Sequence, residues 1–177
     1  MTNDASGFSQ LNDEEQLFRM RHSAAHILAE AMLEKFPDAK YAIGPPVDDG
    51  FYYDFELPRS LTPDDLVELQ KRMTQSVRAN LPIHGEQIDK DAAREIFSDQ
   101  PYKLELIDEI EDSTVGHFSH GDFEDLCRGG HTETTGQVGA FKLDRIAGAY
   151  WRGDENNTML QRVYGLLFST EEELVEY

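Results

Sequence analysis

Apolar side chains between residues 12 and 36 return at helical spacing: Leu17, Met20, Ala24, Ile27, Ala31 and Leu33 fall along one stripe. The pattern predicts a helix capped by Asn12 or Asp13 and ended by Pro37-Asp38. Residues 40–55 change period. Their flanks read as strands around an Asp49-Gly50 turn, and Pro45-Pro46 excludes central sheet pairing at that point. Tyr52 and Tyr53 are adjacent, so in a strand they face opposite sides; one can enter a pocket while the other packs. Thr62-Pro63-Asp64-Asp65 reads as a helix start: a cap, a proline at the first helical position, and acids at the positive end of the helix dipole. That helix is predicted to run to residue 79, with Leu66, Leu69, Met73 and Val77 inward and Asn80-Leu81-Pro82 as its stop.

The pattern then breaks into shorter pieces: a strand over 83–88, a helix over 89–98, and a helix over 102–110 with Leu104, Ile107 and Ile110 in phase. From Thr114 the texture is β, with strands expected over 115–120, 122–127, 139–151 and 157–168. The last two are joined by a turn at 152–156, whose Arg-Gly-Asp is not read as an adhesion motif. Residues 1–11 are expected to be a flexible leader, and residues 169–177 to start a linker helix toward a part of the protein absent from this chain. No repeat or low-complexity linker interrupts the pattern. The expectation is one α+β domain over 12–168, an antiparallel sheet packed with helices, the helices in the first two thirds and the strands in the last.

Composition supports a real core, with 39% hydrophobic residues in 177. The net charge of −19, from 35 acidic and 16 basic residues, repels polyanions at long range. Nucleic acid should therefore meet this chain at one small spot, with affinity supplied elsewhere. No apolar run approaches a membrane span, and the N-terminus has neither the basic start nor the apolar centre of a signal peptide. A single cysteine excludes an internal disulfide framework and suits a reducing, cytoplasmic compartment.

The chemistry gathers in two clusters. His22 and His26, four apart, share a helix face, and Ser23, Ala24 and Ala25 keep the surface between them narrow. About a hundred residues later comes Cys127-Arg128-Gly129-Gly130-His131. Taken alone, the histidine pair reads first as two polar residues packed at a helix–sheet boundary, and only second as a site. Together the clusters make a His3Cys set suited to Zn²⁺. If all four bind, the tetrahedron is closed and the metal structural; water activation would need one of them to let go. A metal-free alternative uses imidazoles and a lysine to orient water against an activated ester. Cys127 as nucleophile ranks below both, because no residue identifies itself as its base. His117 and His120 read as bystanders, and Lys103, taken alone, as a solvated surface residue.

Several stretches together resemble the editing domain of bacterial threonyl-tRNA synthetases, the second of their N-terminal domains. They are His22-Ser23-Ala24-Ala25-His26, Ala42-Ile43-Gly44-Pro45, Asp49-Gly50-Phe51-Tyr52-Tyr53-Asp54, Asp125-Leu126-Cys127-Arg128-Gly129-Gly130-His131, and Ala147-Gly148-Ala149-Tyr150-Trp151-Arg152-Gly153-Asp154 followed by Met159-Leu160-Gln161-Arg162-Val163-Tyr164-Gly165. The domain is related to alanyl-tRNA synthetase editing domains and to free-standing alanyl-tRNA deacylases. The resemblance implies hydrolysis of serine mis-attached to tRNA(Thr). It implies His22, His26, Lys103, Cys127 and His131 as the catalytic group, Gly44, Tyr53 and Asp125 as pocket residues, and possible zinc at His22, His26, Cys127 and His131. The implied partners are the CCA end of seryl-tRNA(Thr) and the rest of a dimeric synthetase, with no membrane. The class II catalytic core, its ATP motifs and the preceding small domain are not matched, so this chain alone is not expected to activate threonine. The relatives read Cys-Arg-Gly-Pro-His where this chain has Gly130, a departure that loosens the loop aiming His131. A free-standing alanyl-type deacylase and a non-catalytic zinc module stand as alternatives.

Overall fold

The computed structural model describes residues 7–177, so part of the expected leader, residues 1–6, lies outside the described residues. Phe8 is buried in a short 3-10 turn, Phe8–Gln10. Helix α1 (Asp13–Lys35) follows, with the Asn12 side chain accepting from Glu15 N at 2.9 Å, three acids in its first turn and Lys35 in its last. Strands β1 (Lys40–Tyr41), β2 (Pro46–Val47) and β3 (Gly50–Glu56) come next, then α2 (Pro63–Ala79), β4 (His84–Asp89), α3 (Lys90–Ile96) and α4 (Pro101–Glu109). The chain ends with β5 (Thr114–His120), β6 (Phe123–Leu126), β7 (Ala140–Tyr150), β8 (Met159–Phe168) and α5 (Glu171–Glu176). The α+β class and antiparallel pairing are as expected. The strands are not confined to the last third, however: β3 is central to the larger sheet and β4 joins the smaller one.

The larger sheet has the order β1-β3-β8-β7, with β2 paired to β3. All its ladders are antiparallel, with Tyr53 opposite Val163 and Asp54 opposite Arg162. Pro46 pairs only at the tip, opposite Phe51, where its missing N–H costs nothing central. The smaller sheet, β4-β5-β6, sets Phe118 opposite Asp125. Helix α1 meets both sheets. Its Arg21 donates to Leu167 O at the end of β8 and to Asp48 O in the turn before β3. On another side, the His26 ring packs edge-on against Phe123 of β6. This double packing explains why Ala24, Ala25, Ile27, Leu28, Ala29 and Met32 are all buried, rather than one stripe alone. The alanines let the helix approach closely; longer side chains there would overpack the core.

Helix α2 supplies another wall through Leu69 and Met73, both fully buried. Its start is a capping box: Thr62 Oγ1 accepts from Asp65 N, and Asp65 Oδ2 accepts from Thr62 N. Asp65 also takes both Arg59 guanidinium nitrogens at 2.7 and 2.8 Å, and lies 3.3 Å from Lys35 Nζ. These partners, the Arg59 guanidinium first, hold its carboxyl well below the usual carboxylate range. A carboxyl depressed in the fold stabilises fully above its unfolded value, and the benefit fades as pH falls toward the folded one. We expect Asp65→Asn to cost about 1–3 kcal/mol at neutral pH. In urea titrations the gap between parent and variant should close as pH falls below about 4.

Candidate active site

The sheets and α1 bring the two sequence clusters together. One ligand atom from each of His22, His26, Cys127 and His131 lies within 4.8 Å of the other three. The His22 and His131 rings stack at 4.0 Å between centroids, and His26 sits 4.3 Å from His131. The loop after β6 achieves this with Gly129 at φ 103° and Gly130 at φ 85°, the left-handed region where a Cβ is strained. A proline ring, fixed near −65°, cannot adopt the Gly130 conformation. Here Gly130 is therefore what turns its own carbonyl toward His22, whose Nδ1 donates to it at 3.2 Å and leaves Nε2 as the acceptor. Cys127 Sγ stands 3.0 Å from His131 Nε2, while His131 Nδ1 is 3.0 Å from Ser23 Oγ.

Beside the cluster lies a fully buried polar floor. Lys103, projecting from α4, is only 2% exposed rather than solvated. Its ammonium donates to Ala42 O at 2.7 Å and Tyr53 OH at 2.9 Å, and pairs with Asp125 Oδ1 at 2.5 Å. Tyr53 OH in turn donates to Asp125 Oδ2 at 2.6 Å, and that oxygen lies 3.4 Å from His26 Nε2. Of the adjacent tyrosines, Tyr53 therefore enters the site. Tyr52 faces the other side, under the Arg162 guanidinium at 3.9 Å. Gly44 explains how Tyr53 is held: a Cβ there would fall 2.1 Å from the Tyr53 ring. Every site residue expected from the sequence thus converges, His22, His26, Cys127 and His131 on one side and Lys103, Asp125, Tyr53 and Gly44 on the other.

Burial sets the charges. Desolvation is the largest influence on His22, His26 and His131 and lowers all three imidazoles, His26 and His131 far below their ordinary value. Mutual repulsion among the rings adds to it for His26 and His131. The rings are neutral at pH 7 and can accept protons. Burial also pushes the Cys127 thiol up to about 12, with the Asp125 charge adding to it, so Cys127 is a thiol and a poor nucleophile at neutral pH. A protonated thiol donates to His131 Nε2, which leaves Nδ1 to donate to Ser23 Oγ.

Two contributors escaped sequence reasoning. Ser23, valued only for its size, also receives Thr132 N at 2.9 Å and so ties α1 to the residue after His131. The Tyr41 ring lies 4.9 Å from the Lys103 ammonium, and its hydroxyl donates to Glu124 O. No spacing in the sequence marks either. His117 and His120 stay outside the cluster, near Glu124 and Glu30 respectively.

Residues 117–164 match the family described as the threonyl and alanyl tRNA synthetase second additional domain. The chain carries that domain. Curated relatives extend the likeness over nearly all of it. A threonine–tRNA ligase of Dehalococcoides mccartyi is 60% identical over 158 residues, covering 89% of this chain and 27% of the relative. One of Rubrobacter xylanophilus is 51% identical over 170 residues, or 96% of this chain and 27% of the relative. One of Staphylococcus aureus is 45% identical over 174 residues, or 98% and 27%. The chain thus spans about a quarter of the length of the curated relatives it matches. Among its described residues, no helix is long and apolar enough to cross a membrane.

The donor set of this cluster fits a small tetrahedral cation. Three imidazoles and one sulfur converge, with the remote nitrogens of His22 and His131 held by Gly130 O and Ser23 Oγ in the way that orients metal ligands. Such an ion would convert the Cys127 thiol to thiolate and supply positive charge.

The buried imidazoles give the domain a pH signature. A histidine whose folded value lies below its unfolded one destabilises the fold as pH falls below the unfolded value of about 6.5. The melting temperature should hold above pH 7 and fall between pH 6.5 and 5. The slope should be shallower in His26→Asn, measured by differential scanning calorimetry.

Proposed function

We propose that this domain is an editing esterase, hydrolysing the bond between serine and tRNA(Thr) in the context of a threonine–tRNA ligase. The observation that carries the reading is the meeting of three neutral imidazoles with the Lys103–Asp125–Tyr53 floor in one buried place. The chemical need is simple. Threonine exceeds serine by one methyl group, worth only about 1–3 kcal/mol of discrimination, so a synthetic site built for threonine must admit serine. A second, tighter pocket reverses the test by excluding the larger group. Gly44 pressed on Tyr53 makes such a wall, and Asp125 offers the seryl group a carboxylate.

In this reading His22, whose Nε2 is left free by the bond from Nδ1 to Gly130 O, accepts a proton from water. The water oxygen bonds to the ester carbonyl carbon, the carbon–oxygen bond to the ribose breaks, and the ribose oxygen takes the proton back from the imidazole. Lys103 has all three N–H donors engaged. It therefore fixes Asp125 and Tyr53 and lends positive charge, rather than moving a proton itself. A metal at His22, His26, Cys127 and His131 would add Lewis acidity. Residues 12–168 form the editing unit, and residues 169–177 lead toward the rest of a dimeric, cytoplasmic synthetase that supplies the tRNA affinity this acidic chain lacks. The reacting partner is the aminoacylated CCA end.

The decisive experiment is deacylation of seryl-tRNA(Thr) against threonyl-tRNA(Thr), with and without chelator, in this chain and in the full-length synthetase. Serine should be released about 10- to 200-fold faster than threonine. His22→Ala should lower the rate about 100-fold or more without unfolding the domain, as read by circular dichroism. Wild-type rates in that variant would remove His22 from the mechanism. Inactivity of both chains, with a chelator-induced fall in melting temperature, would favour the zinc-module alternative. Activity on alanyl-tRNA alone would favour the alanyl-type deacylase.

A further inference from the structure

Lys103 reaches the site from a nine-residue helix, α4, whose start has no side-chain cap. So short a helix has little stability of its own and depends on what it packs against. One neighbour is the tip of the β7–β8 hairpin, where the Tyr150-Trp151-Arg152-Gly153 part of the fifth sequence motif lies. That motif plays no part in the chemistry above.

At the tip, Trp151 is buried and its ring meets Tyr102 edge-on at 5.0 Å. Its indole Nε1 donates to Glu105 Oε2 at 2.9 Å. Arg152 adopts φ 58° and ψ 20°, a left-handed conformation uncommon for a residue with a side chain. From there its guanidinium pairs with Glu109 at 2.5 Å and lies 3.6 Å from Glu105, while stacking 5.0 Å from the Trp151 ring. The turn is fixed from behind, with Trp151 N donating to Thr158 O and Asn157 Nδ2 to Trp151 O. Tyr102, Glu105 and Glu109 thus form the grip on α4. Lys103, next to Tyr102, turns the other way into the floor.

We propose that Trp151 and Arg152 are positioning residues that seat α4 and so set the Lys103 ammonium against Asp125 and Tyr53. The backbone strain at Arg152 fits such a role, because relaxing it would swing the guanidinium off both glutamates. A loosened α4 would carry Lys103 out of reach of at least one of its three acceptors. Asp125 would then be a buried carboxylate with a weakened partner, and the pocket wall at Tyr53 would lose its anchor.

The test has two arms. The first is the side-chain ammonium of Lys103, followed in the 177-residue chain by nitrogen–proton NMR; buried and triply bonded, it should exchange slowly enough to be seen. In Arg152→Ala and in Trp151→Phe, which keeps the ring but removes the indole donor, its proton exchange should accelerate about tenfold or more. Arg72→Ala, which breaks only surface pairs to Glu34 and Glu68, should leave it unchanged. The second arm, which rests on the deacylase reading, is kinetic. Arg152→Ala should lower kcat on seryl-tRNA about 10- to 100-fold with KM within about twofold. Adding Arg152→Ala to Lys103→Met should cost little beyond Lys103→Met alone. An unchanged Lys103 signal in both folded variants overturns the proposal, as does a fall in kcat with that signal intact. Should Trp151→Phe fail to fold, Arg152→Ala and Glu109→Gln carry the same test. Absence of deacylation in the parent chain counts against the esterase reading alone, since the ammonium signal still decides the brace.

Discussion

A lysine and an aspartate taken wholly out of water would cost several kcal/mol each unless their hydrogen-bonding capacity is met. Lys103 and Asp125 meet that demand with groups from distant parts of the chain, the Ala42 carbonyl after β1 and the Tyr53 hydroxyl on β3, and with the amide of Leu126, the next residue along β6. Each partner must sit within a few tenths of an ångström of its place. The pair therefore dictates how the two sheets and α4 stand relative to one another, and apolar burial around it has to conform. A polar centre of this kind favours one arrangement over others that would bury as much surface.

The same desolvation that makes the pair demanding makes the histidines useful. Rings at 4.0 to 5.3 Å from one another could not all be protonated. Packed against Phe118 and Phe123, they are held neutral, with the tautomer of His22 constrained by Gly130 and that of His131 by Cys127 and Ser23. A thiol that stays protonated completes the set without competing for the electrophile. The domain thus separates roles by environment: carboxylate charge is kept with Lys103, while proton acceptors stand beside it.

Much of this was legible in advance because it is local. The caps at Asn12 and Thr62, the extent of α1, a turn just before Phe51 and the opposite faces of Tyr52 and Tyr53 are all set by neighbours within a few residues, and the structure has them so. The meeting of the two histidine-bearing clusters was legible from composition, since few structural uses exist for such a set. What was not legible is pairing at a distance. Nothing around Gly50–Glu56 says that it will lie beside Met159–Phe168, and periodicity could not place β3 at the centre of its sheet. Lys103 shows the same limit at the scale of one side chain. Its neighbours in sequence are those of any surface helix, and only the path of α4 across β1 buries it.

Long-range assembly carries a cost in time. His22 and His131 are separated by more than a hundred residues, and the strands flanking β8 in its sheet come one from each half of the chain. Loop closure on that scale must precede the contacts that reward it, so chains of such topology fold slowly. Ser23 against Thr132 and His22 against Gly130 can form only after the C-terminal half has been made. During synthesis the first helix, with its alanine-rich flanks, must wait in an unfinished state. A chaperone that shields Ala24 to Met32 in that interval would act on the yield of active molecules rather than on their final stability.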